Sequence, residues 1–169
     1  HKCAWVCDYY ADPAPAALAD QIVDSDASRS FVSFQPLGVV LAIMPWNFPF
    51  WQVVRFAAPT VTAGNAAILK HAPNVTGCGL ALEELFREAG YPEHLFRTML
   101  IDVPEVDAVI RDDRVKAVTL TGSTRAGRAV AAAAGSVIKK TVLELGSNDA
   151  YLVLEDADIE TAVKTCVQG

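Results

Sequence analysis

Nowhere in the 169 residues is there an apolar run long enough to span a bilayer. No signal peptide opens the chain either: His1, Lys2 and Cys3 lead into Asp8 and Asp12 with no long apolar core. Basic charge is in short supply. Lys and Arg total 14 against 20 Asp and Glu, a net charge of −6 with an isoelectric point near 5.0, so the overall field attracts neither nucleic acid nor an anionic membrane. Cysteines number only four, and Cys3, Cys7, Cys78 and Cys166 have neither zinc-ribbon nor C-x-x-C spacing. Cys3 and Cys7 can share a helix face, but without further ligands they read as packing residues, no metal site is expected, and all four read as reduced thiols. Internal repeats and low-complexity tracts are also missing. What is left is a cytoplasmic globular protein, and 52% hydrophobic residues over this length suffice for one domain with a substantial core.

The rest of the chain is organised around Leu37 to Arg55, LGVVLAIMPWNFPFWQVVR. Val39 to Met44 is continuously apolar with β-branched residues, as in a strand covered on both faces. Pro45 removes a donor, pushes Met44 toward extended geometry and ends the strand. Pro49 sits where a first helical turn tolerates proline, so a helix is predicted from Phe50 to Thr62, kinked at Pro59.

Ahead of this stretch, residues 2 to 11 have helical spacing, Pro13 and Pro15 break it, and a second short helix is expected near Ala16 to Ile22. A polar turn at Asp24 to Ser28 then leads to an alternating strand, Ser30 to Gln35. Beyond the helix, strands are predicted at Ala66 to Leu69, Leu95 to Ile101, Val115 to Thr121, Val137 to Leu145 and Tyr151 to Leu154. Helices are predicted at Thr76 to Ala89 closed by Gly90, Val103 to Ile110, Thr124 to Ala134, and from Asp158 onward with Asp158 as cap. Strands alternating with helices imply parallel βαβ units, hence an α/β fold with a doubly wound parallel sheet flanked by helices.

In such a sheet, ligands bind at the C-terminal ends of the strands. Asn47 hangs there between two prolines, able to donate to a developing oxyanion, although a bare P-x-N is more often an Asn turn beside a packed Trp46. Thr121-Gly122-Ser123-Thr124 follows a strand and opens a helix, suited to a pyrophosphate or to nothing more than a helix cap; it is not G-x-G-x-x-G, since the first glycine is absent. Lys70 ends the second strand, either within reach of ribose hydroxyls or simply solvated. Glu144 closes an apolar strand, where partial desolvation suits a general base and backbone N–H groups would suit a structural carboxylate.

Taken in order, Pro45-Trp46-Asn47-Phe48-Pro49, Thr121-Gly122-Ser123-Thr124 and Glu144-Leu145-Gly146 resemble the motifs of the aldehyde dehydrogenase superfamily, across Leu37 to Gly169. The resemblance implies that family's variant Rossmann fold, with an NAD(P)-binding domain at residues 37–169 after part of an N-terminal helical and oligomerisation segment at residues 1–36. The partner of the Ser30–Gln35 strand would lie outside the sequence, and the parent protein would be a homodimer or homotetramer. The implied reaction is attack of a cysteine thiolate on a small aldehyde, hydride transfer to NAD or NADP, and water attack on the thioester. Asn47 would stabilise the oxyanion and Glu144 would activate water. Ile43, Met44 and Pro45 through their backbone, with Trp46, Lys70, Gly122, Ser123, Thr124 and Leu145, would contact the cofactor.

Arg55, eight positions beyond Asn47, stands where the succinate-semialdehyde dehydrogenases of this family hold the substrate carboxylate; an internal ion pair or a subunit contact is the other reading. Two departures matter. Lys70-His71-Ala72-Pro73 replaces the family's Lys-Pro, and Pro73 offers no carboxylate, which leaves NAD against NADP open. Ser147 replaces the second glycine of E-L-G-G. The family's nucleophile follows an N-x-G-[QE]-x-C-type segment that is not found here; Cys166 precedes it and is expected to pack a helix face. Without an initial Met, and ending inside a helix, the chain is expected to be a fragment that is inactive alone. The rival reading is a non-catalytic dinucleotide-binding or structural module of the same fold, against which the retained Asn47 and Glu144 speak.

Overall fold

The computed structural model describes residues 1–146 and 150–168. The N-terminal segment forms helix α1 (Lys2–Ala11), the single turn α2 (Ala14–Ala17) and a two-residue antiparallel pair, β1 (Gln21–Ile22) with β2 (Phe31–Val32). The main body follows as β3 (Val39–Met44), α3 (Trp51–Thr62), β4 (Ala66–His71), α4 (Thr76–Glu88), β5 (Phe96–Thr98), α5 (Val106–Arg111), β6 (Val115–Thr121), α6 (Thr124–Ser136) and β7 (Lys140–Glu144). Helix α7 (Ile159–Gln168) comes last.

Among the described residues β3 to β7 make a five-stranded parallel sheet in the order β5-β4-β3-β6-β7. Alternation along the strands sorts the core into two layers. Ala42, Met44, Ala67 and Leu69 face α3 and α4 (Val53, Ala57, Leu82), and α1 adds Val6 to the same cluster. Leu41, Val118 and Leu120 face α5 and α6 (Ile110, Val130, Ala134). The winding runs outward from β3 through β4 to β5, then crosses to β6 on the other side. That reversal sets a crevice at the C-terminal ends of β3 and β6, where α/β sheets take their ligands.

Two details hold the strand ends. Gly64, at φ +81°, makes the left-handed turn from α3 into β4. Beside it the buried Asn65 accepts from the N–H groups of Leu37 (2.6 Å) and Gly38 (3.1 Å) and donates to the Thr60 carbonyl (3.2 Å), fastening the entry to β3.

Several expectations need correction. The helix near Ala16 to Ile22 stops early, and Gln21–Ile22 is a strand because Val32 and Phe31 lie across the polar turn to receive it. The partner of the aromatic strand is therefore inside the chain, and the ladder covers Phe31–Val32 and not the whole of Ser30 to Gln35. Leu95 to Ile101 contracts to Phe96–Thr98, the length over which β4 offers a ladder. Strand β7 begins at Lys140 and not Val137, since Ile138 takes a left-handed φ of 55° that interrupts extended chain. Tyr151 to Leu154 is not a strand: the segment has no ladder partner among the described residues, and its side chains are exposed. Helix α3 runs on past Pro59 to Thr62, as expected, with no N–H at Pro59 to meet the Arg55 carbonyl. The closing Gly90, at φ +84°, and the Asp158 cap, accepting from the Thr161 N–H at 2.7 Å, are as predicted. No helix of the described residues is long and apolar enough to cross a membrane.

Candidate functional site

The loop after β3, the end of β4, the loop after β6 and the end of β7 meet at the C-terminal edge of the sheet. Register sets the spacing. Ile43 stands opposite Leu120 of β6 on one side and Lys70 of β4 on the other, and Thr121 stands opposite Glu144 of β7. Glu144 thus lies two strand spacings from the end of β3, on the order of 10 Å.

The first loop carries Pro45, Trp46, Asn47 and Phe48. Trp46 is 62% exposed, and the Asn47 side chain makes no hydrogen bond among the described residues. In the second loop, Ser123 caps α6 by accepting from the Ala126 N–H at 3.3 Å, which leaves its own hydroxyl proton to donate. Gly122 donates its N–H to the Glu144 carbonyl at 3.0 Å, and a Cβ added to it would meet nothing nearer than 3.7 Å. Its backbone is therefore open to close approach. Thr124 starts α6 and is exposed.

Lys70 is 5% exposed and has no ion-pair partner among the described residues. It lines a cavity of about 220 Å³ with Ile43, Val106, Leu120, Ala126 and Val130. A buried cation without a counter-charge calls for an anionic or hydroxyl-rich ligand, and an apolar slot beside it suits a flat ring. Open backbone at Gly122, a free donor on Ser123 and this cavity are the features a dinucleotide needs, so the residues present fit the cofactor.

At the other side of the edge, Arg55 and Glu144 are brought into direct contact. The Arg55 guanidinium donates to a Glu144 carboxylate oxygen and also to the Gln52 side-chain amide oxygen Oε1, at 3.0 Å in the latter case. The pair borders a cavity of about 370 Å³ that Met44, Gln52, Thr119 and Thr121 also line. The Glu144 side chain, expected to be partly desolvated, is 48% exposed and ion-paired. Of the two readings of Arg55, the internal ion pair is the contact present.

Leu145 rests on α6. A Cβ at Gly127 would stand 2.5 Å from its Cδ2, so that glycine is what lets the chain after β7 lie against the helix. Sequence reasoning left Gly127 unassigned; its position in the first turns of α6, facing β7, was the available signal. It likewise treated His71 only as a departure from Lys-Pro, whereas the ring is buried and bonded to the first loop. Cys166 does not pack a helix face: it is exposed, and α7 buries no residue. Ser147, Asn148 and Asp149 lie outside the described residues.

Fold and edge together define a dinucleotide-binding sheet of the Rossmann type. The chain belongs to the aldehyde dehydrogenase family, whose model matches residues 1–169. It is 57% identical over 167 residues to a probable succinate-semialdehyde dehydrogenase [NADP(+)] of Synechocystis, covering 99% of this chain and 37% of that protein. It is 52% identical over 171 residues to the succinate-semialdehyde dehydrogenase [NADP(+)] of Mycobacterium leprae, again 99% of this chain and 37% of the relative. Among solved structures, the succinic semialdehyde dehydrogenase of Streptococcus pyogenes in complex with NADP+ superposes with a TM-score of 0.90 at 41% identity, over 96% of this chain and 36% of that one. The chain thus spans little more than a third of the length of the curated relatives it matches.

Proposed function

We propose that the protein to which this chain belongs oxidises succinate semialdehyde, or a similar aldehyde with a distal carboxylate, to the acid with NADP+. The observation that carries the substrate is the Arg55 guanidinium at a cavity wall, held by Gln52 and already engaging a carboxylate. Glu144 marks the place a substrate carboxylate would take. Because the Arg55–Glu144 pair is about half exposed, it is worth only about 0–1 kcal/mol. Exchange of one carboxylate for the other therefore costs little, and it frees Glu144 to take a proton from water.

Asn47, whose side-chain amide has no partner among the described residues, would donate to the oxygen on which negative charge develops. Lys70, Gly122, Ser123, Thr124 and Leu145, with Trp46 and the backbone of Ile43, Met44 and Pro45, would hold the cofactor. When bound, it supplies a hydride acceptor. NADP+ over NAD rests on the relatives' names alone. The share of the relatives that is matched favours residues 37–169 as the cofactor-binding unit of a larger enzyme, with residues 1–36 as its N-terminal segment and no turnover by the chain alone. Exposed Ile22, Phe31, Val32 and Phe34 favour a homodimer or homotetramer.

The test is kcat/KM of the full-length protein for succinate semialdehyde and butyraldehyde, with and without Arg55→Leu. A lost charge-assisted contact costs about 1.5–3 kcal/mol, roughly tenfold or more, and for the charged substrate alone. Equal loss on both aldehydes would remove Arg55 from substrate binding. No oxidation of any aldehyde with NAD+ or NADP+, by a folded protein, would favour the non-catalytic module. Turnover by the 169-residue chain would refute its proposed inactivity.

A further inference from the structure

His71 is left without a task by the reading above. It ends β4, is 4% exposed, and stands opposite Met44 in the parallel ladder. Its Nε2 lies 3.0 Å from the Pro49 carbonyl oxygen, and its Nδ1 lies 3.3 Å from the Met44 carbonyl oxygen and 3.1 Å from the Ala72 N–H. Proton accounting assigns the roles. The Ala72 N–H needs a bare lone pair on Nδ1, so the proton of the neutral ring sits on Nε2 and donates to Pro49. In the imidazolium both ring nitrogens carry protons and the Nε2–H to Pro49 bond persists. That bond is therefore the constant one.

Met44 and Pro49 bracket the four residues that carry Trp46 and Asn47. Met44 is fixed by the sheet, and the far end of the loop is where His71 takes hold. Asn47 has no side-chain hydrogen bond among the described residues, so the backbone of this loop sets where its Cα–Cβ bond stands and with it the positions its amide can reach. Placing a donor is worth most when nothing has to reorganise as charge develops. We propose that His71 is a positioning residue that holds the Pro49 carbonyl through Nε2–H and thereby aims the Asn47 amide at the oxyanion. It exchanges no proton with substrate. The inference rests on the oxyanion role given to Asn47 under the proposed function.

Side-chain geometry supplies the test. Counted along the bonds from Cβ, the amide nitrogen of Gln matches Nε2 of His, and that of Asn matches Nδ1. In the full-length protein His71→Leu should lower kcat about tenfold while cofactor KM stays within about twofold, because the loss is one of donor placement. His71→Gln should recover kcat to within about threefold of the parent, and His71→Asn should not. In an Asn47→Ala background His71→Leu should cost nothing further, since the group it aims is gone. If His71→Leu proves unstable by thermal melt, the Gln and Asn variants decide alone. An unchanged kcat in folded His71→Leu, the same tenfold loss in both backgrounds, or equal activity of the Gln and Asn variants would overturn the proposal. If Asn47→Ala leaves kcat unchanged, the oxyanion reading has failed and His71 falls with it. If Asn47→Ala slows the enzyme and His71→Leu does not, the inference about His71 alone is wrong.

Discussion

The two halves of the sheet are covered unequally. On the β5-β4-β3 side the chain supplies every layer: Ala67 and Leu69 are fully buried, beneath α3 and α4, with α1 added over the same cluster. On the β6-β7 side α5 and α6 cover one face, but among the described residues nothing covers the other face of β7, with Val142 62% exposed, and the apolar run Tyr151 to Leu154 beyond it is exposed as well. Both halves are built from the same alternation of apolar strand and amphipathic helix. Propensity is thus not the difference; the number of packing partners is. Arg55 and Glu144 meet at the margin of the bare face, so the residues assigned to substrate chemistry sit where a further layer would enclose them, while Lys70 and the cofactor slot sit on the opposite face of the sheet, under α5 and α6.

The largest test of this contrast is a pair of truncations. Leu69→Ala empties a filled site and should cost about 2–5 kcal/mol in denaturant unfolding. Val142→Ala removes methyls already in water and should stay within about 0.5 kcal/mol. If Val142→Ala instead approached the cost of Leu69→Ala, the bare face would be covered in solution by another copy, and light scattering would show the association.

The same contrast explains what could be read from the residues alone. Strands β3 and β6 were legible nearly to the residue because Val39–Met44 and Val115–Thr121 are central, and centrality shows as continuous apolar sequence. Tyr151 to Leu154 has an equally apolar composition and forms no strand, since a ladder needs a partner and composition does not say whether one is near. The edge positions of Asn47, Lys70, Gly122 and Glu144 followed from strand ends. The contact between Arg55 and Glu144 did not, because residues 89 apart in sequence meet only through the packing of α3 on the sheet. His71 was missed for a similar reason: its partners, Met44 and Pro49, belong to another loop.

A smaller effect separates two helical glycines. A Cβ at Gly79 of α4 would stand 3.0 Å from Thr98 Cγ2 and 3.2 Å from Leu69 Cδ2, and Leu69 is locked in the core. Overpacking there, less the helix gained from alanine, should leave Gly79→Ala about 1–2 kcal/mol less stable. Gly127→Ala collides more closely, but with the tip of a half-buried Leu145 that can swing toward the open side. Its stability should fall within about 0.5 kcal/mol of the parent, and its cost should appear in a cofactor titration. A large loss of stability at Gly127 would mean that Leu145 is as fixed as Leu69.

The smallest effect lies at the opposite edge of the sheet, away from the site. There the turn from α5 into β6 is tied by Lys139, whose ammonium donates to the carbonyls of Ile110 (2.7 Å) and Asp112 (2.6 Å). The Arg114 side chain, and then its backbone N–H, hold the Asp112 carboxyl well below its ordinary value of 3.8. A carboxyl whose folded value is depressed binds fewer protons folded than unfolded, so it contributes stability that is fully present above about pH 4 and is lost as the pH falls through the folded value. Asp112→Asn removes that contribution at neutral pH and has none left to lose in acid. The parent should therefore melt higher than Asp112→Asn at pH 6, by a small margin because the pair is at the surface. The two melting curves should draw together as the pH is lowered below 4, and salt should narrow the gap at pH 6. A difference that stayed constant from pH 6 to strong acid would locate the effect of the substitution in the turn geometry and not in the charge.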